Sequence, residues 1–410
     1  MNNSKIAEVE GGITAPIGYR AAGVASGLKP TGLDLALIVS DSLASAAGVF
    51  TTNLAVAAPV TLAKKHLKKS SGSARAIVVN SKCANACTGE RGAAAAQTMA
   101  DDAADVLECN TEHVLVASTG VIGLHLDTKK VRAGIKEAAG QLCSESHRKA
   151  AEAIMATDIS PKERAVVVTT PSGSFTIGGM AKGAGMIEPN MATMLGFLTT
   201  DANVAASLLN QALRTVVEDT FNAISIDGES STNDTVFMLA NGMSNVKISA
   251  DGPTYTALVV GLTSVCSWLA QEIVRGGEGA TKLVTISVIG ASSTQEAKTA
   301  ARLISNSPLV KTALHGGDPN WGRVLAVAGR SGVMFNQDKA EVRIGQVTLF
   351  ANATVFAERE PDAAKHMEGP EIEITIDLGT GGTGHATMWT CDFSAEYVHI
   401  NADYRTWERG

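Results

Sequence analysis

Along the chain, short runs rich in β-branched apolar residues are interleaved with alanine-rich stretches whose apolar positions return every three or four residues. The β-branched runs predict strands over 33–40, 76–80, 113–117, 165–170, 234–240, 283–289 and 371–378. The three-and-four-residue period predicts helices over 58–69, 92–107, 205–218, 255–275 and 293–305. Interleaving of this kind specifies an α/β or α+β fold of layered sheets with helices. Residues 379–384, Gly-Thr-Gly-Gly-Thr-Gly, resemble a nucleotide loop on the surface, but strand-like alternation flanks them on both sides, whereas a dinucleotide fingerprint must open a helix. They are read as a hairpin turn. With no GxxxxGK[ST] either, neither an NTPase nor a nicotinamide enzyme is indicated.

Composition changes this picture only by exclusion. The 410 residues suffice for two lobes or one large α/β domain. The polar start Met1-Asn-Asn-Ser-Lys-Ile-Ala-Glu is neither a secretory signal nor an Arg-rich transit peptide, so a cytoplasmic protein is expected. Residues 255–270 carry no charge but number only 16, fewer than the roughly 20 that a membrane span needs, and are read as a buried core helix. A net charge of −7 and 4% aromatic residues argue against nucleic-acid partners. The basic run Lys64-Lys-His-Leu-Lys-Lys69 closes a helix, where the macrodipole favours cations. Six cysteines without a CxxC pair read as reduced thiols. Cys83 and Cys87 could supply two metal ligands from a helix turn, but no histidine falls near them, so no metal or other cofactor is expected.

Positive chemistry is concentrated in Lys182-Gly-Ala-Gly-Met-Ile-Glu-Pro-Asn-Met-Ala-Thr-Met-Leu195. A threonine behind an alanine in a Gly/Pro-punctuated segment can attack the peptide bond before it. If Thr193 attacks the carbonyl of Ala192, an N-to-O acyl shift gives an ester, and hydrolysis frees a new N-terminal threonine. Its α-amine, with a reference pKa of about 7.7 to 8.0, is then a built-in base for its own hydroxyl. Taken alone, a threonine more often fills a strand or loop position, and the residues by themselves do not overturn that.

The segment resembles the cleavage and nucleophile motif of the ornithine acetyltransferase (glutamate N-acetyltransferase) family of arginine biosynthesis. Further blocks agree with it: Gly11-Gly-Ile-Thr-Ala-Pro16, Phe50-Thr-Thr-Asn53, Ala86-Cys-Thr-Gly89, Ser118-Thr-Gly120, Ala156-Thr-Asp158, Ser231-Thr-Asn-Asp234, Gly277-Glu-Gly-Ala-Thr-Lys282, Asp318-Pro-Asn-Trp-Gly-Arg323 and Asn401-Ala-Asp-Tyr-Arg-Thr406. The likeness runs from residue 11 to 406. It departs at Lys82-Cys83, where Gly-Asn is expected, and Glu188 holds a variable place.

The resemblance implies an N-terminal-nucleophile-like fold of the DmpA and ornithine acetyltransferase kind. It implies cutting between Ala192 and Thr193 into an alpha segment, 1–192, and a beta segment, 193–410, that share one core, and a heterotetramer of two of each. Thr193 would be the nucleophile, and Thr119 with Gly120 would form the oxyanion hole. Lys182 would meet a substrate carboxylate, Glu278 an ammonium, and Thr157, Asn401 and Thr406 would hydrogen-bond the rest. Their ordinary readings are a turn lysine, the C-terminal cap of the preceding helix, a helix cap and two terminal residues. The implied reaction is ping-pong exchange, in which Thr193 takes the acetyl group of N-acetylornithine and passes it to glutamate. Whether acetyl-CoA also serves as donor is not decided by these residues. An N-terminal-nucleophile amidase or aminopeptidase, passing its acyl group to water, and a non-enzymatic binding protein stand as alternatives.

Overall fold

The computed structural model describes residues 4–188, 194–250 and 252–403, which divide into two compact units. The first takes the described residues of 1–183, 190–222 and 230–273, and the second those of 184–189, 223–229 and 274–410. Each is mixed α/β, as the interleaved periods specify.

The first unit is built on a nine-stranded sheet. Its strands are β1 (Lys5–Val9), β2 (Tyr19–Val24), β3 (Leu35–Phe50), β4 (Ser73–Asn80), β5 (Val114–Ser118), β6 (Lys162–Thr170), β7 (Gly173–Lys182) and β8 (Leu195–Thr200). The ninth is β10 (Thr235–Ala240), the short β9 (Ile224–Ser225) belonging to the other sheet. The order is β1-β6-β7-β8-β10-β3-β4-β5, with β2 also on β3. Helices α1 (Ala58–Lys69), α2 (Gly89–Leu107), α3 (Thr128–Gly140), α4 (His147–Ala153) and α5 (Ala206–Glu218) accompany it. The parallel pairs β4–β5 and β8–β10 need crossovers, and α2 and α5 supply them. One face packs Leu37, Val78 and Val116 against Met99, Ala100 and Ala103 of α2. The other buries Ile38, Ile77 and Leu115 with Ala150, Ala151 and Ile154 at α4. Cover on both faces explains why β4 is almost continuously buried. α6 (Pro253–Arg275) is long and apolar enough to cross a membrane, yet it is mostly buried. It lies so close to β6 and β7 that a Cβ at Gly261 would meet Val168 and Ile177. α1 ends on His66, Lys68 and Lys69, as the basic run implies.

In the second unit a seven-stranded sheet has the order β14-β13-β12-β15-β11-β16-β9. Its other strands are β11 (Leu283–Ala291), β12 (Glu341–Ile344), β13 (Val347–Ala351), β14 (Thr354–Val355), β15 (Glu371–Asp377) and β16 (Gly384–Cys391). Helices α7 (Thr294–Ser305), α8 (Pro308–Gly316), α9 (Trp321–Gly329), α10 (Glu360–Met367) and α11 (Ala395–Ala402) complete the unit. β15 and β16 alternate buried and open positions, as strands with one covered face do, and their inward residues meet α7 to α10. The glycine run after β15 is not a hairpin turn. β11 lies between β15 and β16, parallel to one and antiparallel to the other, so the run crosses the end of β11 instead. Its glycines are needed for that passage: a Cβ at Gly382 would overlap the Ala291 carbonyl, and one at Gly384 the backbone of Ser293.

Candidate functional site

β5 runs parallel to β4 and ends at Ser118, so Thr119 and Gly120 emerge at the edge of a fully buried strand. The Thr119 N–H donates to the Asn80 carbonyl at 3.0 Å, and the Val121 N–H to that of Lys82 at 3.0 Å. Gly120 between them has φ +130°, and a Cβ there would overlap the Lys82 carbonyl and come within 2.6 Å of the Cys83 nitrogen. Only glycine fits. Among the described residues neither the Gly120 N–H nor the Thr119 hydroxyl has a partner, which leaves two adjacent donors open. The facing loop is irregular, with Lys82, Asn85 and Cys87 all at positive φ, so Cys83 and Cys87 do not share a helix turn. Among the described residues no group of three or more His, Cys, Asp or Glu could hold a metal.

Lys182 is the last residue of β7, and it is 3% exposed, which rules out a solvated turn lysine. Its ammonium lies 4.0 Å from Asp158 Oδ2. Asp158 also accepts from Lys162 Nζ at 2.7 Å, the Gly183 N–H at 2.7 Å and the Ala156 N–H at 3.1 Å. Burial alone would raise the Asp158 pKa, but Lys182, Lys162 and these hydrogen bonds hold it down at about 2. Two ammonium groups thus share the Asp158 carboxylate. Thr157 sits half-buried in a bend beside Asp158 and caps no helix.

Asp158→Asn should therefore cost about 3 kcal/mol or more at pH 7, because two buried lysines lose their counter-charge. The depressed pKa places this stabilisation above the ordinary aspartate range, to be lost as pH falls from about 4 toward about 2. Urea unfolding at pH 7 and pH 3 measures it, and equal stability of the two proteins at pH 7 would refute it.

The structure also draws together a segment to which the sequence assigns no chemistry, Ser231–Asp234. Asn233 Nδ2 donates to the Ala84 carbonyl at 2.7 Å and to the Ser118 carbonyl at 2.9 Å, tying the Thr119 strand end to the facing loop. Thr51 donates to the Ser231 carbonyl through its hydroxyl and to the Asp234 carbonyl through its N–H. Asp234 accepts the Met194 N–H at 3.1 Å. Lys182 acts electrostatically on the same carboxyl. Thr119, Gly120, Lys182 and the start of β8 are thus arranged about one buried segment of the first unit. The signal for it in sequence is a run of polar side chains directly before an apolar strand.

In the second unit, Glu278 follows α6 and is 8% exposed, its N–H donating to the Ala184 carbonyl at 2.7 Å. Its Oε2 accepts from Asn401 Nδ2 at 2.9 Å, so this pair is brought together, with Asn401 in the last turn of α11 rather than a frayed end. A Cβ at Gly185 would come within 2.6 Å of the Glu278 carboxyl carbon, which accounts for the second glycine of Lys182-Gly-Ala-Gly. Asp227 accepts the Met186 and Ile187 N–H groups at 2.6 and 2.8 Å, fixing the chain as far as the described residues go. Ala192, Thr193 and Thr406 lie outside the described residues.

A family model described as the ArgJ family matches residues 20–406. The arginine biosynthesis bifunctional protein ArgJ of Symbiobacterium thermophilum is 46% identical over 400 residues, covering 97% of this chain and 99% of that protein. Its counterpart in Chlorobium chlorochromatii is 49% identical over 392 residues, covering 95% and 91%. The crystal structure of the protein of that name from Bacillus halodurans matches with a TM-score of 0.50 and 38% identity, over 52% of this chain and all of that one.

Proposed function

Since the chain belongs to the ArgJ family, we propose that it is a self-cutting acetyltransferase of arginine biosynthesis, working in the cytoplasm, that moves the acetyl group of N-acetylornithine to glutamate. The observation that carries this reading is the pair of donors at Thr119 and Gly120, which have no partner among the described residues, with Gly120 held at a φ of +130° that favours glycine. Two donors so fixed suit an oxyanion that forms and vanishes, because they need no reorganisation when the charge appears.

Thr193 Oγ attacks the acetyl carbon while the threonine α-amine takes its proton. The carbonyl oxygen becomes an oxyanion, received by the Thr119 hydroxyl and the Gly120 N–H. Collapse breaks the C–N bond, and ornithine leaves with the proton. Glutamate's α-amine then attacks the acetyl ester and leaves as N-acetylglutamate, restoring the threonine. Lys182 takes the α-carboxylate common to donor and acceptor, and the excess of cations around Asp158 supports that role. Glu278 takes the ornithine ammonium, and Thr157, Asn401 and Thr406 provide the remaining hydrogen bonds.

One fact supports cutting between Ala192 and Thr193. The Bacillus halodurans chain is matched over its whole length by 52% of this one, a share close to that of residues 193–410. Strands β8 and β10 pair in one sheet with β1 to β7, so the segments before and after the cut share a core and stay together. Two of each segment then form the heterotetramer. The relatives' name, bifunctional, is consistent with a second activity, for which acetyl-CoA is the proposed donor.

The test is release of ornithine from N-acetylornithine by the purified protein with and without glutamate. Release that requires glutamate, matched by N-acetylglutamate formed, is the expected result. Equal release into water alone would assign the chain to the amidases instead.

A further inference from the structure

Asp234 is fully buried at the head of β10, and the mechanism above gives it no task. It stands one residue before the strand that pairs in parallel with β8, with Thr235 opposite Leu195. Its Oδ1 accepts the Met194 N–H at 3.1 Å, and Ser231 also acts on the carboxyl. A carboxyl buried this completely is costly to fold, so its presence calls for a reason beyond packing. The Met194 N–H belongs to the peptide bond that joins Thr193 to Met194. Holding it fixes the chain on the C-terminal side of Thr193.

We infer that Asp234 is a positioning residue for the nucleophile, its carboxyl holding the peptide that follows Thr193 so that the threonine is presented from a fixed strand end. The inference rests on the reading of Thr193 as nucleophile and adds the residue that places it. The surroundings agree. Its own carbonyl accepts the Thr51 N–H at 2.9 Å, and its neighbour Asn233 grips the strand end that carries Thr119 and Gly120. One four-residue segment therefore holds both the strand end that carries Thr119 and Gly120 and the Met194 N–H at the start of β8. A nucleophile at a chain end needs such an anchor, since after cutting its backbone continues on one side only.

Burial drives the Asp234 pKa well above the ordinary aspartate range, against the opposing pull of the Met194 N–H, Lys182 and Ser231. An amide oxygen in the same place can accept the Met194 N–H as this carboxyl oxygen does. Asparagine is then the conservative replacement, and alanine the one that removes the hold.

The full-length protein, Asp234→Asn and Asp234→Ala are compared for the rate of self-cutting after synthesis and for kcat and KM of exchange between N-acetylornithine and glutamate. Asp234→Asn should stay within about threefold of wild type in both rates, whereas Asp234→Ala should cut and turn over about tenfold slower or worse with KM little changed. Wild-type kcat in folded Asp234→Ala would overturn the inference. So would a tenfold loss of kcat in Asp234→Asn, a result readable even if the alanine variant fails to fold. Failure of the underlying reading looks different: wild type itself would be uncut, or Thr193→Ala would turn over normally.

Discussion

Thr193→Ala protein should run on a denaturing gel as one unbroken chain of 42.3 kDa and should exchange no acetyl groups above background. Wild type should give two pieces, of 192 and 218 residues, that purify together and separate only when denatured. Both losses follow from one side chain, because the hydroxyl that attacks Ala192 is the one that later holds the acetyl group. Alanine also removes the route to the free α-amine, so nucleophile and base disappear in one substitution. Groups that act as a unit are lost as a unit, and kcat should drop by about 10⁴-fold or more. Intact-mass analysis and the exchange assay read the two effects separately. A cut Thr193→Ala chain would move the scissile bond elsewhere, and an uncut chain with normal exchange would show that another group carries the acetyl.

Elements with strong patterning were legible from sequence, and the failures have physical causes. The strands predicted over 76–80 and 283–289 sit inside β4 and β11 because they are unbroken or nearly unbroken β-branched runs, and the helices over 58–69 and 293–305 match α1 and α7 because their buried residues return at the helical period. β7 has little strand signal in sequence because Gly173, Gly178 and Gly179 give it weak strand propensity. The structure shows why they are there: a Cβ at Gly178 would overlap the Gly12 carbonyl, and one at Gly179 would crowd Leu198 and Val265. The strand predicted over 33–40 covers only the start of β3, since the bulge between Val39 and Ala44 exposes Asp41 and Leu43 and interrupts the apolar run. The glycine run at 379–384 was misread because a turn signal reports that the chain bends, not which strand it joins next. At the site, the sequence named Lys182 and Gly120 by likeness alone. That Lys182 is buried against Asp158, and that Asp234 faces residue 194, arises from pairings between distant strands, which no local window contains.

Gly120→Ala should lower kcat by about 10² to 10³-fold while the protein still folds, because one misplaced oxyanion donor costs about 2.7 to 4 kcal/mol of barrier. The added methyl meets backbone, the carbonyl of Lys82 and the nitrogen of Cys83, and not a side chain that could swing aside. Relief requires the loop after β4 to retreat or residue 120 to leave φ +130°, and either movement turns its N–H away. The loop cannot retreat freely, since Asn233 holds Ala84, and the Val121 N–H holds Lys82. The N–H is therefore the part that gives. KM should change little, because the donor acts on an oxygen that is fully charged only near the transition state. Measured beside it, the rate of self-cutting discriminates further. Cutting also passes through an oxyanion, on the Ala192 carbonyl, so equal losses in cutting and exchange would mean that one pair of donors serves both reactions. Normal cutting with slow exchange would mean that Thr119 and Gly120 are aimed at the substrate alone, and normal rates in both would remove Gly120 from the chemistry.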